Sequence, residues 1–306
     1  MYGKSVRAGP YISRTYRIDA ELGFNCGAAV YLAWHNRLRK HVVIKAIDNS
    51  LAETIKVRRN EVEALKGIKH MHIPQVYDFF IEQNHSFTVI EYIEGESFDK
   101  LLKSGRRFSR QQILAWYNQL ASALNSIHSH NIYHCDIKPA NIILSTDGAV
   151  CLIDFNCALV GGNHTGLVSR SMGYASPEQY EFFKQCRKKT TDAAKAYSGC
   201  IETALLVGDC KTESVSAGDS AGDNVPNIPI IKPIDWTLSD IYSLGATMYH
   251  LLTGKRPPVK EKEAAEISRY GGKNKDLFKI IGQSMKQNPG RRFTSASHLM
   301  TALSQI

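Results

Sequence analysis

The residues of this chain that could do chemistry together concentrate in one stretch, His134 to Asn141, which reads H-C-D-I-K-P-A-N and runs into the apolar Ile142, Ile143 and Leu144. Asp136 supplies a proton acceptor, Lys138 a cation and Asn141 an oxygen donor suited to a metal ion. Such a set fits phosphoryl transfer, where a protein works mostly by positioning groups and neutralising charge. Unrelated phosphotransferases space Asp and Asn in the same way, so the octet acquires meaning only from its partners. His128, His130 and His134 lie close in sequence, but loop histidines and one core histidine explain them, and no zinc site is expected.

The elements that must position this stretch can be read along the chain. Tyr16 to Trp34 alternates polar and apolar residues around the Gly-containing turn from Leu22 to Val30, L-G-F-N-C-G-A-A-V, the pattern of a β-hairpin. His41 to Ile47 reads as a third strand with Lys45 inside it. A lysine there is costly to bury unless it is paired or bound to an anion; an edge strand that lets its amine reach water is the other reading. Ala52 to Ile68 has helical spacing, with Ile55, Val62, Leu65 and Ile68 on one face and Glu61 near its middle. Val76 to Phe80 and Phe87 to Tyr92 read as two more strands before Glu94-Gly95 breaks the pattern. Residues 1–93 are thus expected to form an N-terminal lobe of five strands and one helix.

Residues 94–306 read as a mainly helical lobe. Ser109 and Gln112 form a capping box, and Ile113, Tyr117, Leu120, Leu124 and Ile127 mark an amphipathic helix that delivers the chain to His134. Asn141 to Leu144 and Val150 to Asp154 are short strands around a Thr146-Asp147-Gly148 turn, which lets Asp136 and Asp154 converge. Thr237 to Thr253, Asp276 to Lys286 and Ser295 to Gln305 are further helices. From about 185 to 235 the composition changes to Ser, Thr, Gly, Ala and Asp, and residues 190–231 carry six acids against two lysines. A surface insertion is expected there, with one short helix or strand near Ile201 to Val207.

Composition narrows the class. With 306 residues and 43% hydrophobic content the chain can bury a large core. No apolar run approaches the ~18 residues of a membrane helix, and Met1 to Ala20 lacks the apolar segment of a signal peptide, so a cytoplasmic protein is expected. Seven scattered cysteines without a C-x-x-C pair argue for reduced thiols. The net charge of +9 suits an anionic partner, but no basic run is interleaved with aromatics, and nucleic-acid binding is not expected.

Taken in order, the Gly-turn hairpin, Lys45, Glu61, His134 to Asn141, Asp154-Phe155-Asn156, Ser176-Pro177-Glu178, Asp240 and Arg292 resemble the eukaryotic-like Ser/Thr protein kinase family, particularly its bacterial members. The similarity spans the chain apart from the insertion. It implies an α+β, two-lobed protein-kinase fold that transfers the γ-phosphate of ATP to a Ser/Thr hydroxyl of a protein, with Mg²⁺ or Mn²⁺. It further implies that Lys45 holds the α- and β-phosphates and pairs with Glu61, that Asp136 accepts or orients the hydroxyl proton, and that Lys138 neutralises the γ-phosphate. Asn141 and Asp154 would hold the metal. Glu91 to Ile93 would be the hinge that carries adenine, with Ile90 behind it, Leu22, Val30 and Leu144 as apolar walls, and Gly23 and Gly27 in the phosphate-covering loop. Glu178 would pair with Arg292, Asp240 would tether the loop, and Ser171 would contact Asp136 and Lys138.

The chain also departs from the family pattern. Asn25 and Ala28 stand where two loop glycines are usual, and a Cβ there restricts backbone approach to phosphate. Cys135 replaces the Arg that pairs with a phosphorylated activation segment, so activity without such phosphorylation is expected. Asn156 replaces the last residue of Asp-Phe-Gly, which is expected to fix Asp154 more firmly. These changes keep a pseudokinase or nucleotide-binding scaffold open as an alternative, and a small-molecule phosphotransferase behind it. The insertion emerges beside the segment where such kinases dock substrates, which makes it the candidate site for a partner.

Overall fold

The computed structural model describes residues 11–25, 28–48, 62, 64–161, 167–169, 171–190, 204–206, 234–258 and 272–306. Gly27, Glu61, Thr165, most of the helix expected over 52–68 and most of the insertion lie outside them. Of that helix the last turn is described, with Val62, Ala64 and Leu65 helical.

The N-terminal lobe is an antiparallel sheet of six strands, not five. β1 (Tyr11–Ile12), β2 (Tyr16–Asn25), β3 (Ala28–His35), β4 (Lys40–Asp48), β5 (Val76–Glu82) and β6 (His85–Glu91) run in the order β1-β2-β3-β4-β6-β5. The extra strand is invisible to sequence periodicity because two residues carry no alternation to detect. Alternation in the longer strands builds the lobe's core: Val42, Ile44 and Ala46 of β4 join Tyr31, Ala33, Phe87 and Val89 on one face. Lys45 therefore points to the opposite face. Its strand lies inside the sheet, paired with both Val30 and Thr88, so the edge-strand reading does not hold.

Beyond residue 93 the chain forms β7 (Gly95–Ser97), α1 (Phe98–Lys103) and α2 (Arg110–Ser129). The Ser109 hydroxyl accepts the Gln112 amide while Gln112 Oε1 accepts the Ser109 amide, closing the capping box that starts α2. Eight residues of α2, among them Ile113, Tyr117, Leu120 and Leu124, are buried. The helix leads into β8 (Ile132–Tyr133), and β9 (Ile142–Ser145) pairs with β10 (Val150–Leu152) and β7. β8 pairs with β11 (Leu159–Val160).

The rest of the described chain comprises β12 (Leu167–Ser169), α3 (Pro177–Thr190), β13 (Ala204–Leu206), α4 (Trp236–Thr253), α5 (Lys275–Ser284) and α6 (Ala296–Leu303). α3, a helix not expected from the sequence, runs into the stretch read as an insertion, and β13 is the short element expected within it. α4 is buried around most of its circumference. At Gly245 an added Cβ would meet the Ser284 side chain at 2.6 Å, so this glycine permits α4 and α5 to approach.

One ion pair fastens these helices. Arg292, its side chain wholly buried, donates to both oxygens of Glu178 at 2.6 and 2.8 Å, to the Lys286 carbonyl at 2.7 Å and to the Leu238 carbonyl at 2.8 Å. Removing one member strands the other's charge with little water to replace the partner. Arg292→Leu is expected to lower stability by about 3–5 kcal/mol, read as a fall in the urea midpoint at unchanged slope.

Candidate active site

The loop from His134 to Asn141 is held from below by a carboxylate on α4. Asp240, fully buried, accepts the His134 amide at 2.8 Å, the Cys135 amide at 2.9 Å and His128 Nε2 at 3.0 Å. Cys135 itself has φ +60, a conformation that costs an L-residue of order 1 kcal/mol and needs such over-determination. Its carbonyl accepts the Gln179 amide at 2.7 Å. The buried His134 ring bridges onward, with Nε2 donating to the Ile153 carbonyl at 3.0 Å and Nδ1 accepting the Asp136 amide at 3.3 Å. Asp240 and Glu178–Arg292 thus sit where the sequence placed them.

On this support the polar groups converge. Asp136 Oδ1 accepts from Ser171 Oγ at 2.6 Å, and Oδ2 accepts from Lys138 Nζ at 2.8 Å and Asn141 Nδ2 at 3.1 Å. Lys138 also donates to Ser171 at 3.1 Å. Burial works against the Lys138 charge, but the adjacent Asp136 outweighs it and raises the lysine pKa above its ordinary value. Asn141 Nδ2 donates again to the Asp136 carbonyl at 2.8 Å, which leaves Oδ1 as the atom its amide would offer a cation. Lys45 reaches across from β4 to donate to Asp154 Oδ1 at 3.0 Å.

A cavity of about 360 Å³ opens between the lobes. Lys45, Asn141 and Asp154 line one end; Leu22, Val30, Ile90, Glu91 and Ile93 line the rest. Leu144 does not belong to this wall. It is 8% exposed and packed in the core of the C-terminal lobe, whereas its neighbour Ile143 faces the cavity, because successive strand residues point to opposite faces. Gly23, with φ +145, lies in β2 beside Leu22 and outside the lining. Leu65, Pro74 and Asn156 also line the cavity, and no sequence pattern assigns them to it. Wider concavities of about 580 and 600 Å³ lie elsewhere, and neither contains Lys45 or Asp154.

The description "Protein kinase domain" matches residues 16–228 of the 306. The chain belongs to the protein kinase family. Among its relatives are a probable serine/threonine-protein kinase of Clostridium acetobutylicum, 27% identical over 97% of this chain and 41% of that protein, and the serine/threonine-protein kinase PknB of Mycobacterium leprae, 24% identical over 97% and 44%. PknA of Corynebacterium glutamicum is 25% identical over 96% of this chain and 57% of its own length. The chain thus spans about half the length of the curated relatives it matches. No helix among the described residues is long and apolar enough to cross a membrane.

The kinase domain also shows what became of the position usually occupied by Arg. Cys135 is buried with Leu159, Phe182 and Trp236, and burial, reinforced by Asp240, pushes its thiol pKa well above the usual range. Cys151 is likewise pushed up to about 12 by burial. Since only the thiolate reacts, neither should be alkylated by iodoacetamide at pH 8 in the folded protein, while both should be in urea. Mass spectrometry of the two digests checks this, and native labelling of Cys135 would contradict the packing described.

Proposed function

We propose that this domain is an active Ser/Thr protein kinase that transfers the γ-phosphate of ATP to a protein hydroxyl. The observation carrying this reading is the joint presence of Lys45, Asn141 and Asp154 on one cavity, with Asp136 bonded to Asn141 at its edge. The names of the bacterial relatives support the same activity. The cytoplasm, where ATP is available, is its proposed location.

Each side chain takes a task that suits its chemistry. Lys45 binds the α- and β-phosphates, with Glu61 as its further partner. Asn141, through Oδ1, and Asp154 hold Mg²⁺ or Mn²⁺, an ion that prefers few protein oxygens and supplies neutralisation of phosphate charge when bound. Asp136 orients the acceptor hydroxyl and takes its proton, while Ser171 and Lys138 fix the carboxylate from two sides. Lys138 also meets charge developing on the transferred phosphoryl group. Glu91 and Ile93 bind adenine through the backbone between walls formed by Leu22, Val30 and Ile143.

Activity without phosphorylation of the activation segment is part of the proposal. A phosphate there would need a cation beside it, and Cys135 instead joins an apolar cluster with Phe182 and Trp236, whose rings meet edge to face at 5.7 Å. The segment has other supports: Ser171 is tied to Asp136, and β12 pairs with β13 of the insertion in register Val168 to Leu205. The insertion is proposed to brace this segment and to offer a docking surface to a protein partner. A nucleotide-binding scaffold without transfer is the second reading, favoured by Ala28, which opens β3 where the family usually has a glycine.

Two experiments test the activity and its independence of phosphorylation. With radiolabelled ATP and Mg²⁺, Asp136→Ala should lose at least about a hundredfold in phosphoryl transfer while still binding nucleotide. Equal labelling by wild type and variant would end the enzyme reading, and binding without transfer in both would favour the scaffold. The pair Thr165→Ala and Ser169→Ala should keep wild-type activity; its loss would show that a phosphorylated segment is required.

A further inference from the structure

Asn156 stands where the family has glycine; it is 3% exposed and is among the residues lining the cavity. Its Nδ2 donates to Asp154 Oδ1, the same oxygen that accepts Lys45 Nζ at 3.0 Å. Asp154 has φ +66 and ψ +69, left-handed values that an L-residue holds only under constraint.

The turn carrying Asn156 is itself anchored. Phe155 is fully buried and meets the His134 ring edge to face at 4.6 Å, and the Ala158 amide closes the turn on the Phe155 carbonyl at 3.0 Å. The amide of Asn156 is therefore delivered to Asp154 by a fixed frame that starts in the His134 to Asn141 loop. A glycine would supply no side-chain donor and would free the backbone beside it.

We propose that Asn156 is a positioning residue for Asp154: its amide holds the carboxylate in the orientation that binds metal-nucleotide. The inference rests on the kinase reading, in which Asp154 is a metal ligand. Asn156 touches neither substrate nor metal in this role. It acts by removing orientations of Asp154 that would otherwise have to be lost when metal binds, so its contribution is seen in the metal-dependent part of nucleotide affinity. Two donors on one oxygen also keep Lys45 and Asp154 in a common arrangement.

The test uses a fluorescent ATP analogue titrated into wild type, Asn156→Gly and Asn156→Leu, each with Mg²⁺ and with EDTA, alongside Mn²⁺ binding followed by electron paramagnetic resonance. Leucine keeps the branched shape and number of heavy atoms and removes the side-chain donor; glycine removes both. In both variants the gain in affinity due to Mg²⁺ should shrink about ten- to a hundredfold, the size expected for one hydrogen bond to a charged group, with Mn²⁺ weakened alike. Affinity in EDTA should stay within about twofold, because the nucleotide itself loses no contact.

Wild-type metal dependence in either folded variant would overturn the inference. A loss in glycine but not in leucine would also overturn it, since backbone freedom would then be the cause. Asn156→Ala replaces leucine if the latter does not fold, as judged by its melting curve. A wild type that binds no nucleotide under either condition would instead remove the kinase reading, and this inference with it.

Discussion

The arrangement depends first on a buried carboxylate. Asp240 is inaccessible to water and accepts two consecutive backbone amides and a histidine nitrogen. An ion in that setting is tolerable only because its oxygens are satisfied, and the same bonds fix the chain at His134 and Cys135. The next residues of the loop inherit that position: Asp136 one residue on, Lys138 beside it, Asn141 at the end of the turn. The interior of α4, the most buried of the described helices, thus sets where Asp136, the proposed proton acceptor, sits.

A second constraint is the pairing of charge across the cavity. Lys45 comes from a strand inside the N-terminal sheet and Asp154 from a left-handed turn after β10, yet they meet at 3.0 Å. Neither charge is well placed alone, since both side chains are mostly shielded from water. Polyphosphate and a divalent cation would divide this pair between them, the lysine turning to phosphate and the carboxylate to metal. The pair therefore keeps both groups in place for the ligands they are proposed to hold.

Much of this was legible in the sequence because charged residues in apolar runs are conspicuous. Lys45 inside H-V-V-I-K-A-I stands out by the cost of burying it, although an edge strand is a second reading, and Asp240 is placed through the resemblance to the kinase family. The phase of β9 was not legible: in Ile142-Ile143-Leu144 every residue is apolar, so alternation leaves no mark, and Ile143 rather than Leu144 faces the cavity. The two-residue β1 is too short for any pattern. The substitution at Asn156 was visible, but the direction of its amide depends on Phe155 docking against His134, a contact between residues far apart in sequence.

In the activity proposed for this domain, Cys135 stands where a phosphate-switched kinase would hold a cation. Its thiol packs among Leu159, Phe182 and Trp236, while its backbone is clamped between Asp240 and Gln179. Apolar packing and backbone bonds thus occupy the place of a charge waiting for a partner. The most direct measurement is the time course of phosphoryl transfer by protein freed of all phosphate with a phosphatase and verified by intact mass. A linear course from the first turnover, with no lag, is the predicted result; a lag that vanishes as the activation segment becomes phosphorylated would contradict the account.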